Sequence, residues 1–137
     1  MAHWLMKTEP GSWSWDDQVR DRTTHWNGVR NHQAANNMKA MKRGDTVFFY
    51  HSVDEKRIVG IVEVVGEYHP DPSDATGRFG MVEVAAVKPM TRPVTLGEIK
   101  AEPKLAGLAL VRQSRLSVLP VSAAEWALIC RMGETAP

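Results

Sequence analysis

Thr46-Val47-Phe48-Phe49-Tyr50-His51, Arg57-Ile58-Val59-Gly60-Ile61-Val62-Glu63-Val64-Val65 and Met81-Val82-Glu83-Val84-Ala85-Ala86-Val87 are three runs rich in β-branched or aromatic residues. Such side chains fit a pleated, half-buried surface, so each run predicts a strand. Gly60, inside the second run, predicts a bulge or a close approach of another group to the backbone. Most links between successive strands are short, not the long helical crossovers of a parallel sheet, which argues for an antiparallel or mixed sheet.

On the N-terminal side, Trp4-Leu5-Met6-Lys7 predicts a short strand, stopped by Glu9-Pro10-Gly11. Ser14 with Asp17 has the spacing of a capping box and starts a helical turn. Residues 31–42 predict a helix with Ala34, Ala35, Met38 and Met41 on one face and Gly44 placed to end it. On the C-terminal side, Thr95 with Glu98 repeats the capping-box pattern ahead of a short helix, and a second short helix is expected over residues 103–108. Arg115-Leu116-Ser117-Val118-Leu119 alternates like a half-buried strand. Ser122 and Glu125 cap a last helix that carries Trp126, Ile129 and Cys130 inward, with Gly133 closing it. The Pro- and Asp-rich stretch 69–77 is the one candidate flexible segment, and residues 134–137 are expected to fray. The reading is an α+β fold: mixed, mostly antiparallel strands curved into a small barrel, with helices at its rim.

A chain of 137 residues fits one domain over residues 1–137 and is long enough to bury a core without disulfides or metals. Its 17 Lys and Arg against 16 Asp and Glu exclude the strongly basic surface that wraps a duplex by its phosphates. Recognition of a single nucleotide remains open. One cysteine, Cys130, rules out an internal disulfide and suits a reducing cytoplasm. The N-terminus lacks the pattern of a signal peptide, and no apolar run approaches the roughly 18 residues of a membrane span. No membrane partner is expected, and with no long apolar stripe left over a monomer is expected.

Candidate chemistry is sparse. His3, His25, His32, His51 and His69 form no recognised ligand spacing, so no metal is expected. The glycines form neither a Walker loop nor a dinucleotide fingerprint, so no cofactor is expected. Lys7-Thr8-Glu9 keeps an enzyme reading alive, because a lysine with a lowered pKa can activate a hydroxyl. The plainer reading is a polar strand end. Trp26-Asn27-Gly28-Val29-Arg30-Asn31 is more informative. An indole, a glycine turn and two amides just before a helix are suitable parts for stacking on a base and bonding its edge. Equally, Trp26 can be core and Asn31 an N-cap. Phe49-Tyr50-His51-Ser52 and Arg112-Gln113-Ser114-Arg115 could complete such a pocket, the arginines meeting a phosphate, or could be a strand end and a solvated loop. Four of five tryptophans fall in the first 26 residues, which hints that this part builds a site.

Trp4-Leu5-Met6-Lys7-Thr8-Glu9-Pro10, Trp26-Asn27-Gly28-Val29-Arg30-Asn31, Gly44-Asp45-Thr46-Val47-Phe48-Phe49-Tyr50-His51-Ser52, Pro93-Val94-Thr95-Leu96 and Arg115-Leu116-Ser117-Val118-Leu119-Pro120-Val121 occur in this order. Together they resemble the EVE domain, a PUA-like family, over residues 3–132. The resemblance implies a PUA-like pseudo-barrel with peripheral helices, similar to YTH domains. It also implies a pocket for a modified base: a modified cytosine in DNA, or a modified base in RNA. It assigns Lys7 and Thr8 to the pocket lining, Trp26 to a wall, and Gly28, Val29 and Asn31 to the base of that wall. Tyr50, His51 and Ser52 would come from the next strand, and Arg112, Gln113, Ser114, Arg115 and Leu116 from the far side and the nucleic-acid-facing rim. The chain departs from the pattern in having Thr8 where a serine is common. It also has a shorter segment between Pro72 and Met81, with Phe79-Gly80 in place of an aromatic pair.

Two functions follow from these readings. The first is a reader of a modified nucleobase in DNA or RNA, with no chemistry of its own. The second, by analogy with related ASCH-type domains, is a small hydrolase of acylated nucleosides that would use Lys7, Thr8 and Glu9.

Overall fold

The computed structural model of the chain describes residues 2–137; Met1 lies outside the described residues. Strand β1 (His3–Thr8) is followed by helix α1 (Trp15–Asp21), a short β2 (Thr23–His25) and α2 (His32–Ala40). Strands β3 (Thr46–His51), β4 (Arg57–Pro70) and β5 (Gly80–Thr95) come next, then α3 (Leu96–Ala101), a 3-10 turn (Pro103–Leu105), α4 (Ala109–Arg112), β6 (Val118–Val121) and α5 (Ala123–Met132). No helix among the described residues is long and apolar enough to cross a membrane.

The six strands form one sheet in the order β2-β5-β4-β3-β1-β6. Among the described residues only β1 and β3 run parallel; the other pairs are antiparallel. The mixed, mostly antiparallel α+β fold is therefore as read, but the barrel is not closed. β2 and β6 stand at opposite edges and do not pair. Both are short, three and four residues, and β6 contains Pro120, which has no N–H to give a ladder. Helix α2 packs against β6, β5 and β4, reaching both halves of the sheet and covering with side chains what strand pairing leaves open.

The strand pattern decides the core. Val47, Phe48, Phe49, Tyr50, Ile58, Ile61, Val62, Val64, Val82 and Val84 are all buried, with Leu5 and Met6 of β1 beside them. Trp126 of α5 stacks on Phe48 at 3.8 Å between ring centres and on His3 at 4.6 Å, so this late tryptophan is core mass. Trp4 is core too. Its indole N–H donates to Asp45, a buried carboxylate that also accepts from the backbone of Ala2 and Lys42.

The capping boxes Ser14/Asp17, Thr95/Glu98 and Ser122/Glu125 form as their spacing predicts. Several boundaries differ. α2 ends at Ala40, not at Gly44, because Met41 turns to an extended backbone and buries its side chain in the core. β5 runs on through Thr95 to pair with the start of β4. The second short helix expected over residues 103–108 is only the 3-10 turn Pro103–Leu105, and α4 follows beyond that range. The last strand begins at Val118, because Leu116 N–H donates to Gln113 O in a turn. The 69–77 stretch is built from two carboxylate-anchored turns. Asp71 accepts from the Ser73 N–H and hydroxyl, and Asp74 from the Thr76 N–H and hydroxyl.

Candidate functional site

The segment between β2 and α2 supplies Trp26 to Asn31 to the wall of a cavity of about 580 Å³. Its lining is Lys7, Thr8, Ser12, Trp13, Thr24, His25, Trp26, Asn27, Gly28, Val29, Arg30, Asn31 and Ser117. Gly28 has φ +79, a left-handed conformation that costs a side-chain-bearing residue, and this turn carries the chain from Trp26 towards α2. Asn31 is the N-cap of α2, its Oδ1 accepting from Ala34 N–H at 2.9 Å. The capping and lining roles are thus compatible: the oxygen holds the helix while the residue also borders the cavity.

Two indoles line the cavity. Trp26 is mostly buried, its edge meeting Phe49 at 5.7 Å between ring centres, and its backbone N–H donates to Val82 O. Trp13 is aimed by Gln18, a fully buried amide of α1. The Trp13 indole N–H donates to Gln18 Oε1 at 2.9 Å, and Gln18 Nε2 donates to Arg22 O at 2.8 Å. Both amide atoms are used, so the indole is held in one orientation.

The turn itself is held from behind by Asp71. This buried carboxylate accepts from Gly28 N–H at 2.8 Å, from Arg30 at 3.2 Å and from Ser73. Burial opposes its ionisation, but those hydrogen bonds outweigh the desolvation and keep the carboxyl well below the ordinary carboxylate range. Arg30 in turn lies over the ring of Phe79, which also meets His32 at 5.0 Å, so the single aromatic of this shorter loop packs behind the cavity wall.

Lys7, Thr8, Trp26, Gly28, Val29 and Asn31 come together in this cavity. The other expected residues do not line it. Arg112, Gln113, Ser114, Arg115 and Leu116 border a separate cavity of about 360 Å³ that shares Asn31 with the first. Tyr50 and Ser52 border a third, of about 390 Å³, with Lys7, Lys56, Lys100 and Ser114. His51 borders none of the three. Its Nε2 accepts from Trp15 N–H and its Nδ1–H donates to Glu55, so the ring pins α1 to the sheet. Lys7 joins the first and third cavities: its ammonium donates to Ser114 O at 2.9 Å and stands 5.8 Å from the Tyr50 ring centre. Burial lowers the Lys7 pKa and pushes Tyr50 up to about 12.

Trp13, Ser12, Thr24, His25 and Ser117 were not among the expected lining. Trp13 lies in the tryptophan-rich N-terminus, but nothing local separates it from Trp15. Trp15 does not line the cavity: it lies over Gly60 and edge-on to Phe49. Among the described residues one group has the donors for a metal ion: His25, His69 and Glu83.

An open, mostly antiparallel sheet with a helix packed against both its halves and an indole-lined cavity beside that helix is the architecture of a PUA-like domain. The EVE domain model matches residues 2–132, and the chain belongs to the EVE domain family. Human thymocyte nuclear protein 1 is 33% identical over 170 aligned positions, covering 99% of this chain and 76% of that protein. The solved structure of a Rhodopseudomonas palustris protein is 54% identical with a TM-score of 0.93, covering 98% of this chain and 94% of that one. The human protein's structure in complex with DNA containing 5-methylcytosine is 32% identical with a TM-score of 0.91, covering all of both chains. An ASCH protein from Zymomonas mobilis shares the fold alone, at 9% identity and a TM-score of 0.61 over 96% of this chain and 95% of that one.

Proposed function

We propose that this chain is a binding module that takes one modified cytosine of DNA into the cavity between β2 and α2 and catalyses no reaction. The observation that carries the reading is the cavity itself: about 580 Å³, lined by Trp13 and Trp26, with the Gly28 turn and the Asn31 amide at one end. Indoles supply stacking, worth about 1–3 kcal/mol per base, and amides read the base edge. The human relative's complex with 5-methylcytosine DNA supports the ligand class. Arg112 and Arg115, exposed beside the neighbouring cavity, are suited to the flanking phosphates.

The absence of chemistry is supported by how Lys7 and Thr8 are used. The Thr8 hydroxyl donates to Trp13 O at 3.0 Å and the Lys7 ammonium to Ser114 O, so neither activates the other. The module acts as a monomer in a reducing cytoplasm, a setting that suits its single, buried thiol, Cys130.

The test is fluorescence anisotropy with labelled duplexes carrying cytosine, 5-methylcytosine or 5-hydroxymethylcytosine at one position, and with RNA of the same sequence. Wild type should bind one modified duplex at least about 5-fold tighter than the plain one, the low end of one stacking contact. Trp13→Ala should abolish that preference, whereas Arg112→Ala should weaken all forms alike. Equal binding of every form by the wild type contradicts the reading. Release of cytidine from N4-acetylcytidine above a protein-free control would turn it towards a hydrolase.

A further inference from the structure

We propose that His25, His69 and Glu83 form a binding site for a divalent transition-metal ion of the zinc class at the lip of the cavity. The site goes beyond the nucleobase reading and does not depend on it. One ligand atom from each of the three residues lies within 4.8 Å of the other two. The residues stand far apart in the chain, so no spacing motif announces them. The sheet brings them together: β2, β5 and β4 are neighbours, and His25 pairs directly with Glu83.

Three local features assemble the donors. Gly66 of β4 is the partner of Glu83 in the register, and a Cβ on Gly66 would stand 3.0 Å from Glu83 Cβ and 3.2 Å from its Cγ and Cδ. The missing side chain is the space in which the Glu83 side chain lies over β4. The register then shifts between Gly66 and His69, an irregularity of the kind that re-aims side chains. Finally, the His69 Nδ1–H donates to Glu67 O at 2.8 Å. That bond fixes the tautomer and leaves Nε2 as the lone pair, the second-sphere contact typical of metal-ligating histidines. His25 Nε2 already lies 2.9 Å from Glu83 Oε1, so two of the three donors are in contact before any ion is bound.

Imidazole nitrogen with a carboxylate oxygen suits zinc and its transition-metal neighbours rather than calcium or magnesium. Two histidines and one glutamate make a three-ligand set that leaves positions for water or an anionic ligand. Donors about 2.0–2.1 Å from a tetrahedral ion stand roughly 3.3 Å apart, so no separation needs to close by more than about 1.5 Å. Partial exposure of all three side chains allows that adjustment and gives the ion access. His25 also lines the cavity, so the ion would stand beside its entrance.

The experiment is calorimetric titration of the metal-free 137-residue chain with zinc chloride, paired with visible absorption on adding cobalt(II) as a tetrahedral reporter. Wild type should bind one ion, and His69→Ala and Glu83→Gln should each weaken binding at least 10-fold. Gly66→Ala should weaken it by displacing Glu83. His32→Ala, a change to an exposed histidine outside the cluster, should leave it unchanged. Circular dichroism confirms that each variant is folded. The proposal is overturned if the folded wild type takes up no ion at a one-to-one ratio, or if His69→Ala binds zinc as the wild type does.

Discussion

Gln18 and Asp71 touch no ligand-facing space themselves, yet each fixes a wall of the cavity. Removing the Gln18 amide leaves the Trp13 indole N–H and the Arg22 carbonyl without partners. Gln18→Ala should therefore cost about 1–3 kcal/mol in denaturant unfolding and weaken the modified duplex beyond what the lost stability explains. Asp71→Asn should cost a similar amount, because Arg30 loses its carboxylate and the Gly28 turn one strong acceptor. The pH dependence has a definite sign. The folded pKa of Asp71 is depressed, so its stabilisation is complete above the unfolded value of about 4 and is lost as pH falls below it. Acid unfolding of the wild type should therefore lose stability below about pH 4 by more than Asp71→Asn does. At this scale Trp26 and Asn31 were legible because a glycine turn before a helix is a local signal. Asp71 was not, since the two partners that tie it to the cavity wall, Gly28 and Arg30, lie more than 40 residues away and its neighbourhood of prolines and aspartates reads as loose loop.

Elements were most legible where their determinants are local. All three capping boxes follow from two residues three apart, and the three central strands from their β-branched runs. β2 was not, because three residues carry no periodicity; Thr23, Thr24 and His25 become a strand only by pairing with β5. Gly60 shows the sequence signal resolving into both of its alternatives. The β4 register shifts beside it, and a Cβ there would fall 2.5 Å from the Trp15 ring. Gly60→Ala should thus destabilise by about 1–3 kcal/mol through overpacking between β4 and α1, lowering the melting temperature. The double variant with Trp15→Leu should recover part of that loss, which measures the coupling directly.

Over the whole molecule, near-neutral charge leaves recognition to the cavity and a few cations at its rim. With Arg112, Arg115, Lys56 and Lys100 beside the adjoining cavities, a plot of log affinity against log salt should be no steeper than about −4. The sheet's openness was not legible: strand patterns are the same in a closed barrel and in an open sheet plugged by α2, and the difference lies in the shortness of β2 and β6. The most direct measurement is the tryptophan indole N–H region of a ¹⁵N-labelled sample as a 5-methylcytosine duplex is added. The five indoles carry their own controls, since Trp4 is bonded to Asp45 and Trp126 is stacked in the core. The account predicts that the Trp13 and Trp26 signals shift with saturation while those of Trp4 and Trp126 stay in place. Trp13 and Trp26 signals that stay unmoved at saturating duplex would contradict it.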